Sequence, residues 1–276
     1  MICSRRPIHL WHALAAGALL GTCAASMAAA PAAPTAAAAT SRPANYVEAT
    51  AIDYATLLPP APAKGSALDE SDRRIFLQTR HFKDTPRWLM AARDADAKTA
   101  DMLQHFSCAL DLELTATSAP QITKLAQNLS ADAGRVAGSA KDFYKRDRPY
   151  LIDEGPTCRP REDTGKSFDY PSGHATAGWA WASALAQVAT DRAVPILARG
   201  RAYGESRVVC GVHNMTAVEA ARLATTGVAL LAQNSAQYQA DLAAARAEYA
   251  ALKHSAPHPE AARCATEAAL VALPLE

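Results

Sequence analysis

The sequence has no charge excess of either sign. Its 276 residues include 28 Lys and Arg against 27 Asp and Glu, which leaves a formal net charge of +1. Proteins that coat nucleic acids carry a strongly basic surface, so this balance argues against a nucleic-acid partner. Half of the residues are hydrophobic, and a chain of this length can bury one substantial core. The composition favours a single globular domain.

Long hydrophobic runs are also missing after the N-terminal region. No later segment approaches the roughly 18 uninterrupted apolar residues that a membrane-spanning helix needs. The N-terminus itself combines two arginines, an apolar stretch at 10–20 and small residues before position 28, which is the layout of a secretory signal. We predict a signal peptide over 1–28, with an uncleaved anchor or a lipoprotein signal ending at Cys23 as alternatives. The mature protein is then periplasmic or secreted, without stable membrane association.

The cysteines lack the spacing of a metal site, since no CxxC pair occurs. Removal of the signal peptide leaves four cysteines, and an even number in an exported protein favours disulfides. We predict two bridges, and their pairing stays open at the level of sequence. The four residues are Cys108, Cys158, Cys210 and Cys264.

Strand patterns are scarce, because alternating apolar and polar runs and clusters of β-branched residues are few. Long Ala- and Leu-rich runs dominate instead, with little Gly or Pro inside them. We predict an all-α fold, a single multi-helix bundle domain over 46–276, preceded by an Ala/Pro-rich flexible leader at 29–45. The helical runs are 86–117, 121–146, 174–192 and 217–251.

One long segment, 147–173, breaks the helical pattern. It is polar, contains four prolines and lies between two strongly helical runs. Loops of this length in a compact domain are usually functional. We therefore expect this segment to contribute to a functional site.

Cationic residues precede this loop in the stretch Lys141-Asp-Phe-Tyr-Lys-Arg-Asp-Arg148-Pro149. Lys141 and Arg148 are seven residues apart, a spacing that places them on one face of a helix which Pro149 helps to end. Two cations on one face can hold a phosphate dianion, and an arginine fork can donate to two of its oxygens.

The loop ends in Pro171-Ser172-Gly173-His174, directly before a helical run. This order predicts Ser172 and Gly173 at a helix N-terminus, where free N–H groups and the helix dipole favour an anion. A third stretch, Ser206-Arg207-Val-Val-Cys-Gly-Val-His213, adds another cation and a second histidine. Two histidines suit a division of labour in which one attacks phosphorus and the other protonates the leaving oxygen.

The three stretches, in this order, resemble the signature of the phosphatidic-acid-phosphatase/vanadium-haloperoxidase superfamily, and the chain looks most like the bacterial class A non-specific acid phosphatases. The resemblance covers about 85–225. It implies a phosphomonoesterase in which His213 forms a phosphohistidine and His174 is the general acid. The implied phosphate clamp consists of Lys141, Arg148, Ser172, Gly173 and Arg207.

The resemblance implies no metal and no cofactor, because cations and backbone amides supply the positive field. It implies a soluble phosphomonoester as substrate, phosphate as product and vanadate as inhibitor. Whether the chain forms a homo-oligomer stays open.

The sequence departs from the family pattern beside the nucleophile. The family has an Asp four residues after the nucleophilic histidine, and this chain has Ala217 there. Glu219 lies about 240° from His213 around an ideal helix, so it does not simply replace the Asp. We therefore predict a slow enzyme, unless an Asp or Glu from elsewhere reaches His213.

A second departure lies just before the first histidine, where the class A pattern is Gly-Ser-Tyr-Pro-Ser-Gly-His-Thr. This chain has Phe168, Asp169 and Ala175 in place of Gly, Ser and Thr. Three alternative functions follow from the resemblance and its departures: a non-catalytic phosphate-binding protein, a lipid-phosphate phosphatase, and a vanadate haloperoxidase.

The other candidate groups have simpler interpretations. We expect the remaining mature histidines to be structural or exposed, and Trp179 and Trp181 to pack in the core. We interpret four basic residues near the loop as solvated surface or loop charges that attract anions. These are Lys145, Arg146, Arg159 and Arg161.

Overall fold

The computed structural model describes residues 45–48 and 50–275, and these residues form helices and loops without a strand. The prediction of an all-α fold is confirmed. The predicted signal peptide and all but the last residue of the predicted leader lie outside the described residues. The described α-helices are α1 (Tyr54–Leu57), α2 (Ala67–Thr79), α3 (Pro86–Arg93), α4 (Thr99–Leu110), α5 (Pro120–Tyr144), α6 (Gly173–Val188), α7 (Ala193–Val209), α8 (Met215–Ala232), α9 (Ala236–Leu252) and α10 (Ala261–Val271).

Two of the predicted helical runs are divided. The run 86–117 forms α3 and α4, and 217–251 forms most of α8 and α9. The second break lies at Ser235, whose hydroxyl accepts a hydrogen bond from the Tyr238 amide and caps α9. Capping hydroxyls favour helix starts over helix interiors, so composition alone joined two helices that local capping separates.

Helix α6 lies at the centre of the bundle, packed against α5, α7 and α8. Its many alanines let neighbouring backbones approach, and Ala180, Ala182 and Leu185 are fully buried. At Gly178, a Cβ would overlap the ring of Tyr203 on α7. Close packing of small residues fixes the position of α6, and with it the position of the residues at its N-terminus.

Helix α8 is the one described helix that is long and apolar enough to cross a membrane, and half of its residues are buried inside the protein. It packs against α5 and α6. A helix that is buried in this way is explained by its place in the core.

Two disulfides join distant parts of the chain, as predicted. Cys108 on α4 bonds to Cys264 on α10. Cys158 in the long loop bonds to Cys210 at the end of α7, and the Cys158 amide also donates to the Cys210 carbonyl. The second bridge therefore fastens the loop beside the segment that leads to His213.

Candidate active site

One pocket of about 480 Å³ brings together six of the seven predicted site residues. They are Lys141, Arg148, Gly173, His174, Arg207 and His213. The seventh, Ser172, is fully buried behind the pocket wall, where its hydroxyl accepts from the Ala175 amide and caps α6. The structure thus places Ser172 at the predicted helix N-terminus but not among the pocket-lining residues.

Lys141 and Arg148 reach the pocket from different backbone structures, so the prediction of one helix face was wrong. Helix α5 ends at Tyr144, and Lys145 adopts a left-handed conformation with φ 48°. Arg148 has extended backbone, with φ −75° and ψ 150°, because a residue before proline is disfavoured in a helix. The Lys141 ammonium donates to the Phe168 carbonyl, on the loop that precedes α6.

His174, in the first turn of α6, is oriented by a backbone carbonyl. Its Nε2 lies 3.0 Å from the Ala95 oxygen. Because a carbonyl oxygen only accepts, Nε2 carries the proton in the neutral ring, and Nδ1 is the nitrogen that gains and loses a proton. Gly173, the preceding residue, is exposed and leaves space for an anion at the helix N-terminus.

Arg207 lies in the last turn of α7 with only 4% of its surface exposed. Its Nε and Nη1 have no hydrogen-bond partner among the described residues. Buried guanidinium nitrogens without partners are rare, since desolvation of a donor costs free energy unless a hydrogen bond replaces water. An oxyanion in the pocket would supply the missing acceptors.

A tight turn connects α7 to His213. Gly211 has φ 77°, and a Cβ there would overlap the Arg80 guanidinium. Arg80 in turn donates to the Val208 and Val209 carbonyls at 2.7 and 2.9 Å. Glycine is needed here both for the left-handed backbone and for the close approach of Arg80.

His213 is 2% exposed and both of its ring nitrogens have partners. Nε2 lies 3.1 Å from Arg148 Nη1, and Nδ1 lies 2.9 Å from Asp169 Oδ1. The carboxylate accepts the Nδ1 proton, which leaves a lone pair on Nε2 beside a clamp cation. This tautomer is the one required for attack by Nε2.

Asp169 belongs to a buried carboxylate network that the sequence prediction missed. Asn214 donates to both of its oxygens, from the amide at 3.1 Å and from Nδ2 at 2.9 Å. Arg146 Nη1 lies 3.5 Å from Asp169 Oδ2. The same guanidinium donates to Asp69 and Asp72 of α2 at 2.9 and 2.8 Å.

The network corrects one prediction and meets the exception that was stated with another. Arg146 is 9% exposed, so its interpretation as a solvated charge was wrong. The expected slow turnover depended on no acid reaching His213, and Asp169 does reach it. Asp169 was visible in the sequence only as a departure from a pattern, because the fold alone brings residue 169 beside residue 213.

Arg159 and the two tryptophans fit their sequence-based interpretations better than Arg146 does. Arg159 is partly exposed at the pocket mouth and lies 3.3 Å from Asp96 and 3.5 Å from Asp163. Trp181 is 3% exposed in the core. Trp179 is half-buried and donates to Thr226 at 2.9 Å.

Burial and mutual repulsion shift the pKa of most groups in the pocket. Burial, followed by repulsion from Arg148, lowers the pKa of Lys141 to about 8. Burial, followed by Arg207, lowers the pKa of His174 to about 3. Burial and Arg148 hold the pKa of His213 well below its usual value. These are the shifts expected where buried basic groups lie close together.

Asp169 shows the opposite effect of burial. Removal from water raises its pKa to about 6, although Arg146 and the hydrogen bonds from Asn214 favour the ionised form. The carboxylate is therefore ionised at neutral pH, and it depends on its partners for that charge.

A second buried cluster supports the acceptor of His174. Asp94 ends α3, directly before Ala95. Its carboxylate pairs with Arg199 on α7 at 2.5 Å and accepts from the Ser206 hydroxyl at 2.6 Å. The carbonyl that orients His174 is therefore anchored to α7, the helix that also carries Arg207.

Comparisons with known proteins find acid phosphatases among the relatives of this chain. A family model described as the PAP2 superfamily matches residues 125–241. The chain is 34% identical to an acid phosphatase of Zymomonas mobilis over 212 residues, which cover 76% of this chain and 80% of the relative. It is 37% identical to a non-specific acid phosphatase of Providencia stuartii over 206 residues, 74% of this chain and 83% of the relative.

A third relative is a non-specific acid phosphatase of Salmonella typhimurium, 31% identical over 194 residues that cover 69% of this chain and 78% of the relative. The chain belongs to the PAP2 superfamily and, within it, to the bacterial non-specific acid phosphatases, a family of phosphomonoester hydrolases.

Proposed function

We propose that the protein hydrolyses soluble phosphomonoesters through a phosphohistidine on His213. The observation that carries the proposal is the position of His213 Nε2, 3.1 Å from Arg148 Nη1, in a pocket that also contains Arg207, two of whose nitrogens have no partner among the described residues. A nucleophile held next to cations that bind its electrophile is the arrangement that phosphoryl transfer needs.

The first step is binding of the phosphate group among three cations and the N-terminus of α6. Lys141, Arg148 and Arg207 surround the space, and Gly173 offers its backbone amide. The charge on the transferring phosphoryl oxygens is thereby stabilised by fixed donors, without reorganisation of solvent.

In the second step, Nε2 of His213 forms a bond to phosphorus as the bond between phosphorus and the ester oxygen breaks. The leaving oxygen takes the proton of His174 Nδ1 and departs as an alcohol. Water then gives a proton back to His174 Nδ1 and attacks the phosphohistidine, which releases phosphate and restores Nε2. His174 alternates between acid and base across the two half-reactions.

Substrate binding itself prepares His174 for the acid role. Burial and the charges of Arg207, Arg148 and Lys141 keep the pKa of His174 low. A phosphate dianion neutralises those charges, so the pKa of His174 rises when substrate binds. Proton uptake is then coupled to substrate binding, in the pH range in which Asp169 stays ionised.

The non-catalytic alternative rested on the missing carboxylate beside His213. The contact between Asp169 and His213 argues against that alternative. Under this proposal phosphate is the product and vanadate, which mimics the five-coordinate transition state, is a competitive inhibitor. The two disulfides support action in the periplasm or outside the cell, where such bonds persist.

The test is steady-state and burst kinetics on a panel of aryl and alkyl phosphates, with and without a chelator. We expect turnover that survives the chelator and a phosphohistidine trapped by quenching in denaturing alkali, where the P–N bond survives, absent in His213→Ala. Tight binding of phosphate without turnover or trapped intermediate would overturn the proposal.

A further inference from the structure

The chain differs from the class A pattern at two positions with opposite chemistry. At position 217 it lacks the expected carboxylate, and at position 169 it has a carboxylate where the pattern has Ser. The two positions lie in the same part of the site, since Arg146 Nη1 lies 2.8 Å from the hydroxyl of Thr216, the neighbour of Ala217, and 3.5 Å from Asp169 Oδ2. Relative to the class A pattern, the chain lacks one carboxylate and has another in this region.

The gained carboxylate makes the contact that orients an imidazole. Asp169 Oδ1 lies 2.9 Å from His213 Nδ1, in a region where Asp169 has no exposed surface and His213 has almost none. The Asp169 amide donates to the Arg146 carbonyl at 2.8 Å, which fixes the backbone from which the carboxylate projects. The side chain therefore has little freedom to leave Nδ1.

The second oxygen of the carboxylate is held separately. Asn214 Nδ2 donates to Oδ2 at 2.9 Å, and Arg146 Nη1 lies 3.5 Å from it. Arg146 is itself fixed by Asp69 and Asp72. Such external partners fix which oxygen faces the histidine and keep it as an acceptor.

We propose that Asp169 is the positioning residue for His213, and that in this chain the function of the carboxylate has moved from position 217 to position 169. The inference rests on the proposed nucleophilic role of His213. Asp169 fixes the tautomer with the proton on Nδ1 and stabilises the imidazolium charge that develops when Nε2 bonds to phosphorus.

The isosteric variant Asp169→Asn tests the role directly. Its amide can donate to Nδ1 and so stabilise the wrong tautomer. We expect kcat for an aryl phosphate to fall by a factor on the order of 10³, since the corresponding change in a serine-protease triad costs about 10⁴. KM and protection by phosphate against thermal unfolding should change little, because the clamp cations are untouched. Asp153→Asn, which breaks a surface pair with Arg73, is the matched control.

Relocation of the carboxylate is the sharper test. Ala217→Asp alone should not raise kcat, because Nδ1 already has its acceptor. The variant Asp169→Ser should be slow. The double variant Asp169→Ser/Ala217→Asp should have a kcat at least about tenfold higher than that of Asp169→Ser, which additive effects of the two single changes cannot produce.

The inference is overturned if Asp169→Asn keeps kcat within about twofold of the parent. It is also overturned if the relocated variant folds, binds phosphate and is no faster than Asp169→Ser. A failure of the proposed function gives a different result, since the parent itself would then form no phosphohistidine on His213.

Discussion

The two histidines of the pocket are oriented by acceptors of different charge. Nδ1 of His213 faces the carboxylate of Asp169, whereas Nε2 of His174 faces the neutral carbonyl of Ala95. A carboxylate stabilises a positive imidazolium more strongly than a carbonyl does. His213 therefore has built-in support for the charge of its phosphorylated form, and His174 depends on the bound phosphate to become protonated.

The two histidines should differ most in how their replacement by glutamine changes kcat. His213→Gln should lower kcat by at least about 10³-fold with every ester, because no nucleophile remains. His174→Gln should lower kcat by about 10²–10⁴-fold with alkyl phosphates, whose leaving oxygen needs a proton. With p-nitrophenyl phosphate the loss should be much smaller.

The measurement is kcat for both variants across leaving groups of increasing pKa. A steep dependence on leaving-group pKa for His174→Gln and a uniform loss for His213→Gln would support the assignment. Equal dependence in the two variants would contradict the division of roles.

The support that Asp169 gives to His213 can be weakened by substitution of Arg146. Arg146→Lys keeps one positive charge but cannot span Asp69, Asp72 and Asp169 as the guanidinium does. Arg146 favours ionised Asp169, so the pKa of Asp169 should rise above about 6 and the acid limb of kcat/KM should move towards neutral pH, by ~0.5–1 unit. The control is the pH profile of Arg73→Lys, a separate variant that makes the same exchange in the Arg73–Asp153 pair. An unmoved acid limb would show that Arg146 does not support Asp169.

Lys141 should determine the alkaline side of the profile. Its pKa is lowered to about 8 by burial and by Arg148, so the free enzyme loses this clamp charge as the pH rises through that value. We expect kcat/KM to fall above about pH 8, and the limb to move upwards in Lys141→Arg, whose side chain stays charged. An alkaline limb at the same pH in both proteins would assign it to another group.

The disulfides should give the smallest effect on turnover and should differ from each other. Cys210 is three residues before His213, so Cys158→Ser/Cys210→Ser should lower kcat several-fold, whereas Cys108→Ser/Cys264→Ser should leave kcat unchanged. Each pair should lose stability of about 2–5 kcal/mol, as is typical for removal of a native bridge. Chemical denaturation and kcat measured on the same samples check both. Equal kcat in the two variants would contradict a role for the Cys158–Cys210 bridge in holding the His213 turn.

The all-α fold was predictable because it depends on short-range signals: alanine-rich runs favour helices, and the Pro-Ser-Gly-His order places an N-cap at Ser172, two residues before His174. The six pocket-lining residues lie in three distant stretches, and their meeting in one pocket was predictable only from the resemblance to a family. The two disulfides were predictable as a number but not as a pairing, since pairing depends on which cysteines the packed helices bring together.

Two of the errors share one physical cause, which is that long-range contacts have no signature in local sequence. Arg146 is a basic residue near a loop, a pattern typical of surface charge, yet α2 supplies two carboxylates that bury it. Asp169 and His213 are 44 positions apart, and no spacing rule joins them. The helical placement of Arg148 failed for a local reason, because the conformational restriction before Pro149 was given too little weight.

The Asp94 cluster connects two parts of the pocket to the same helix. Helix α7 carries Arg207, and through Asp94 it also holds the carbonyl that orients His174. A small displacement of α7 therefore moves Arg207 and the Ala95 carbonyl, which orients His174, in the same direction. The position of Arg207 relative to the acceptor of His174 therefore depends on one helix.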